Sequence, residues 1–145
     1  MMNNKKIYVA SPIDTLKTFD RLAVEEILEM KGFEVYSPSQ HHIPNAWDYP
    51  NTEWGLMVFQ NDVEAIQNSD YVVMLSYGRD STAGSNWEAG YAFGIGKKVI
   101  VIEMTDNPMS LMVANGRYAT VKGVDGIKNY DWDKMPKSRT NTEQK

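Results

Sequence analysis

The sequence predicts an α/β domain with a mostly parallel sheet, and three observations carry that reading. Short β-favouring runs alternate with segments whose apolar residues recur at helical spacing. Tyr71-Val72-Val73-Met74-Leu75 is nearly continuous in apolar character, as a central strand covered on both faces requires. The repeated order of strand, helix and strand demands crossover connections, which favour right-handed parallel pairing.

Taken in order, Ile7-Tyr8-Val9-Ala10 is the first strand, closed by Ser11-Pro12. Phe19, Leu22, Ala23, Ile27 and Met30 then mark a helical stripe that Lys31-Gly32 ends. Phe33 to Tyr36 is the second strand, and Ser37-Pro38 stops it. The irregular stretch from Ser39 to Thr52 contains Gln40, His41, His42, Trp47 and Tyr49, and a loop of that length in a compact domain usually has a function. A helix is expected from about Glu53 to Gln67, with Leu56, Phe59, Val63 and Ile66 on one stripe. After the central strand, an irregular segment from Ser76 to Gly84 leads to a helix from Ser85 to Ile95, ended by Gly96. Val99 to Ile102 is the fourth strand. Beyond it the pattern predicts a turn or two of helix from Met109 to Ala114, a short strand at Thr120-Val121, and a polar tail from Lys134.

A chain of 145 residues is sized for one domain, with one site per chain. Its formal charge of -4 gives no broad positive surface for a phosphate backbone, so nucleic acid is disfavoured as a partner. The absence of Cys removes disulfides, a thiol nucleophile and thiolate ligands. With neither a signal-like segment nor a membrane-length apolar run, cytoplasm without membrane association is the expectation.

Ligands of parallel sheets bind beyond the carboxyl ends of the strands. That rule gathers Ser11 to Asp14, the Pro38 to Pro50 loop and the Ser76 to Glu88 segment at one edge. Glu88 is the most informative residue there, because in a helix it shares a face with Tyr91, Ala92 and Ile95 and so points partly inward. Two readings stand side by side. Ser85-Asn86-Trp87-Glu88 fits a capping box, and an inward carboxylate whose desolvation is costly equally suggests chemistry. Asp62 adjoins the apolar stripe of the preceding helix and reads either as a solvated flank or as a second active carboxylate.

Gly78, Gly84 and Gly90, with Ser81, Thr82 and Ser85, suggest a loop leading into a helix start, a natural anion site. The spacing is neither a dinucleotide fingerprint nor a Walker loop. His41 and His42 lack carboxylates at a recognised spacing, so no metal site is expected, and no arrangement supports a serine hydrolase. Carboxylate chemistry survives the elimination.

The stretch from Gly84 through Ser85-Asn86-Trp87-Glu88-Ala89-Gly90-Tyr91 to Ile100 resembles the catalytic helix of the nucleoside 2-deoxyribosyltransferases. Lys5 to Pro12 and Asn61-Asp62 with Ile66 and Asp70 extend the likeness, which reaches about Asn115. The resemblance implies a flavodoxin-like three-layer fold without a cofactor, acting on a 2′-deoxynucleoside and a nucleobase. It implies Glu88 as the nucleophile at the anomeric carbon, Asp62 assisting at the base, and Tyr8 hydrogen-bonded to the nucleophile. It further implies Gln40 at the base and Asn115 reaching the sugar 5′-hydroxyl across a subunit interface, in a homo-oligomer with shared sites. Trp47, Tyr49 and Trp54 are the stacking candidates. One departure stands out: Thr82 occupies the position where the family usually has an aspartate, and Asp80 lies two residues earlier.

Two other functions fit the same residues. A hydrolase of nucleosides or nucleoside 5′-monophosphates would use water as acceptor, with Ser81, Thr82 and Ser85 near the phosphate. A nucleotide-binding module would bind without turnover. A flavodoxin-type electron carrier would need a Ser/Thr-rich phosphate cradle after the first strand, which Ser11-Pro12-Ile13-Asp14 lacks.

Overall fold

The computed structural model describes residues 5–13, 17–38 and 50–137. Strands β1 (Lys6–Ala10), β2 (Glu34–Tyr36), β3 (Tyr71–Ser76), β4 (Lys98–Glu103) and β5 (Ala119–Lys122) form one sheet in the order β2-β1-β3-β4-β5. Every neighbouring pair is parallel. Helices α1 (Thr18–Met30) and α5 (Gly123–Lys128) cover one face, and α2 (Asn51–Gln67), α3 (Ala83–Gly94) and α4 (Leu111–Gly116) cover the other. The result is a flavodoxin-like three-layer fold. The chain leaves β1 toward β2 and then returns to place β3 on the other side of β1, so the crevice for ligands lies above β1 and β3.

The period of two along each strand divides the core. Ile7, Val9, Val73, Leu75, Ile100 and Ile102 face α1 and α5. Tyr8, Ala10, Val72, Met74, Val99 and Val101 face the α2–α4 layer, where Ala89 and Ala92 of α3 pack closely on the sheet. Tyr8 is the one tyrosine among the fully buried side chains of the described residues. Gly96, at φ +83°, gives the left-handed residue that ends α3 and turns the chain into β4.

Several expectations are corrected. The stripe read on α1 is rotated: Phe19, Leu22 and Met30 are exposed, while Val24, Glu25 and Leu28 are buried. On α2, Ile66 is buried but Leu56 and Phe59 are about half exposed. Helix α5 was hidden by its two glycines. At Gly126 a Cβ would sit 3.0 Å from the Cβ of Val121, so the close approach of α5 to β5 favours the residue that weakens the helical signal. The polar tail begins later than Lys134, because Met135 is buried and its carbonyl accepts from the Tyr118 hydroxyl at 2.7 Å. Among the described residues no helix is long and apolar enough to cross a membrane.

Candidate active site

The site starts from two tyrosines on adjacent strands. Parallel pairing sets Tyr8 of β1 beside Tyr36 of β2, and their rings stack at 5.5 Å with an interplanar angle of 26°. Tyr8 is completely buried, and its hydroxyl donates to Glu88 Oε2 at 2.5 Å. Tyr36 is half-buried, and its hydroxyl donates to Asp62 Oδ1 at 3.3 Å. A pair of phenols on the sheet thus holds a pair of carboxylates on two helices.

Helix α3 aims Glu88 inward because Ala92, one turn on, and Ala89, beside it, are the residues packed on the sheet. The helix cap read at Ser85 lies one turn earlier. Thr82 is the N-cap, its side chain accepts from the Ser85 backbone N–H, and the two hydroxyls lie 2.9 Å apart. Glu88 is therefore released from capping and turned toward Tyr8. A threonine N-cap does what an aspartate N-cap can also do.

Glu88 and Asp62 line one cleft of about 440 Å³, whose apolar wall includes Val58, Phe59, Val63 and Trp87. Phe59 meets Trp87 edge-on at 5.4 Å, and Trp87 stacks on Tyr91 at 5.4 Å. Burial pushes the Glu88 carboxyl up to about 7; the hydrogen bond from Tyr8 pulls it down, and the charge of Asp62 raises it. Burial and the neighbouring Glu88 charge hold the Tyr8 hydroxyl well above the ordinary phenol range, so it stays a donor. A carboxylate held by a phenol in an apolar cleft can act as a nucleophile, and a second carboxyl beside it can carry a proton.

The other candidates lie elsewhere. Ser85 is buried within the α3 cap, and Thr82 is engaged with it. Asp80 is exposed on the turn Gly78–Asp80, where Oδ2 accepts from the Asn107 amide at 3.3 Å. Asn115 is exposed on α4, donates to the Leu111 carbonyl at 2.7 Å, and lines a separate cavity of about 370 Å³ with Phe93, Met112 and Val113. Gln40, Trp47, Tyr49, His41 and His42 lie outside the described residues. Trp54 is 42% exposed. Sequence reasoning missed Phe59, Trp87 and Tyr36. The first two carried a usable signal, since Phe59 lies one turn before Asp62 and Trp87 directly precedes Glu88. Among the described residues no group of three His, Asp or Glu side chains is placed to hold a metal.

Residues 7–129 match the family model described as nucleoside 2-deoxyribosyltransferase. Among solved structures, the chain resembles a 2-deoxyribosyltransferase from the psychrotolerant bacterium Bacillus psychrosaccharolyticus. The two share 28% identity at a TM-score of 0.84, over 93% of this chain and 98% of that one. A conserved protein from Enterococcus faecalis shares the fold, with 20% identity and a TM-score of 0.61 over 97% of this chain and 93% of that one. Comparison with the curated proteins finds no match.

Proposed function

Because the chain belongs to the nucleoside 2-deoxyribosyltransferase family, we propose that it moves a 2-deoxyribosyl group between nucleobases with Glu88 as the transient covalent acceptor of the sugar. Membership makes it a transferase that handles nucleosides and nucleobases. The observation that carries the finer reading is the cleft itself: Glu88, held by Tyr8 at 2.5 Å, shares it with Asp62.

In the first half-reaction a Glu88 carboxylate oxygen bonds to C1′ as the C1′–N bond breaks. The bonding pair leaves on the base nitrogen, and Asp62 supplies the proton that makes the base a neutral leaving group. In the second, a new base attacks C1′ from the vacated face, the glycosyl ester breaks to return the electron pair to Glu88, and the incoming base yields its proton to Asp62. Two inversions restore the configuration. Protonated Asp62 with ionised Glu88 is the competent form, since a proton on Asp62 removes the like charge that raises Glu88. The apolar wall of Phe59 and Trp87 is suited to a flat base. In this reading Gln40 and Trp47 contact the base, and Asn115 serves the sugar 5′-hydroxyl in the site of a neighbouring copy.

The test is chromatography of thymidine with excess adenine, beside a control without adenine. Enzyme-dependent 2′-deoxyadenosine that falls about 10⁴-fold in Glu88→Ala is the expected result. Free thymine with no new nucleoside would replace transfer by hydrolysis, and binding without turnover would replace both.

A further inference from the structure

Each carboxylate of the cleft is held by a tyrosine, and the second of these pairings has no part in the mechanism above. Tyr36 closes β2 directly beside Tyr8 in the parallel register, and the rings stack at 5.5 Å. Its hydroxyl donates to one oxygen of Asp62, Oδ1, at 3.3 Å. Burial, then the charge of Asp62, pushes that hydroxyl up to about 12, so it remains a donor at any working pH. Among the described residues, the titratable groups that meet Asp62 include Tyr36 from β2, Tyr8 from β1 and Glu88 from α3.

A carboxyl on a helix can rotate about its terminal torsion, a broad and weakly restrained motion. A donor on Oδ1 restrains that rotation and sets the plane of the carboxyl that carries the mobile proton. We propose that Tyr36 is a positioning residue for Asp62, setting its carboxyl so that it delivers the proton to the departing base, as Tyr8 sets Glu88 for attack at C1′. The assignment rests on the transfer reading above. It also gives the stacked pair a purpose: one register contact between β1 and β2 fixes the spacing of the two phenols and, through them, of the acid and the nucleophile.

The consequence is specific to the leaving group. Tyr36→Phe keeps the ring stacked on Tyr8 and removes only the hydroxyl. Single-turnover base release is measured from 2′-deoxyinosine, whose base needs a proton to leave. It is also measured from 7-methyl-2′-deoxyguanosine, whose base is already cationic and leaves neutral without one. Tyr36→Phe is expected to slow the first donor roughly 10- to 100-fold and to leave the second within a few-fold of wild type. Tyr8→Phe, acting on the nucleophile, is expected to slow both alike. Equal slowing of both donors by Tyr36→Phe, or no slowing of either, overturns the proposal.

Failure of the wild-type enzyme to release base from either donor would sink the transfer reading, not this one. The Asp62 carboxyl is then followed by carbon-13 NMR titration in wild type and in Tyr36→Phe. Loss of a donor to the ionised form must move its midpoint to higher pH. A midpoint that stays where it was in wild type overturns the assignment independently of activity.

Discussion

Two glutamates are sheltered on opposite faces of the sheet, and their surroundings make them different chemical objects. Glu25, on α1, is 4% exposed; its Oε2 accepts from Arg21 Nη1 at 2.7 Å and from the Ser37 hydroxyl at 3.3 Å. Glu88, on α3, receives a hydrogen bond from the Tyr8 phenol and the repulsion of Asp62 across a shared cleft. A cation one helical turn away neutralises the first and turns it into a tie between α1 and the end of β2. The second sits where its surroundings resist its charge, next to open space. Burial alone does not mark an active carboxylate; the sign of what meets it does.

The comparison breaks most sharply under exchange of the two alanine variants. Glu88→Ala is expected to abolish transfer, by about 10⁴-fold, with no loss of stability. Glu25→Ala leaves Arg21 without its carboxylate, and is expected to lower unfolding free energy by about 2–3 kcal/mol with kcat per folded molecule unchanged. Urea unfolding and active-site-normalised rates measure both. Loss of transfer in Glu25→Ala at intact stability would show that the α1 pair serves the chemistry after all.

That asymmetry was only half legible in the sequence. Strands β1, β3 and β4 announced themselves as apolar runs, and Glu88 stood out because its helix mates Tyr91 and Ala92 pointed inward. Glu25 did not stand out. An acidic residue between Val24 and Leu28 reads as solvent-facing until Arg21, one turn back, is seen to share its buried side, and the exposed Phe19, Leu22 and Met30 drew the stripe to the wrong flank. The Asp62 partner was hidden for a different reason. Tyr36 lies 26 residues from Asp62, and only the β1–β2 register brings its ring beside Tyr8. The cap was misplaced because Ser85 with Glu88 satisfies the capping-box spacing, whereas Thr82, which caps the helix, has Ser85 at its third position.

A second difference between the glutamates concerns what happens when the charge is removed but the shape kept. Glu88 rises from 4.5 in the unfolded chain to about 7 in the folded protein, so between those values the folded state holds a proton that the unfolded state has lost. Its contribution to stability is full below 4.5 and is lost as pH rises through 7. Glu88→Gln is therefore expected to stabilise the protein at pH 8 by about 3 kcal/mol, or about 10 °C in Tm, with the gap closing toward pH 4.5. Glu25→Gln weakens its bond to Arg21 and is expected to destabilise at pH 8. Thermal melts at the two pH values compare the pair, and a Glu88→Gln protein less stable than wild type at pH 8 would mean that the ionised carboxylate is solvated in its cleft.

The smallest effect isolates the phenol. In the transfer reading Glu88 and Asp62 must hold one proton between them, so kcat/KM should fall with pH through a limb near 7, where burial raises the Glu88 carboxyl and the Tyr8 hydrogen bond restrains that rise. Tyr8→Phe removes the restraint and keeps the ring, which moves the limb to higher pH, while the loosened attack geometry lowers kcat/KM about tenfold at pH 7. The deficit against wild type should narrow by pH 9, where wild type has lost more of the shared proton than the variant, and the deficit that persists below the limb measures what Tyr8 contributes by holding the attack geometry. A limb that stays near 7 in Tyr8→Phe would assign the Glu88 proton to burial alone, leaving the phenol a purely geometric role.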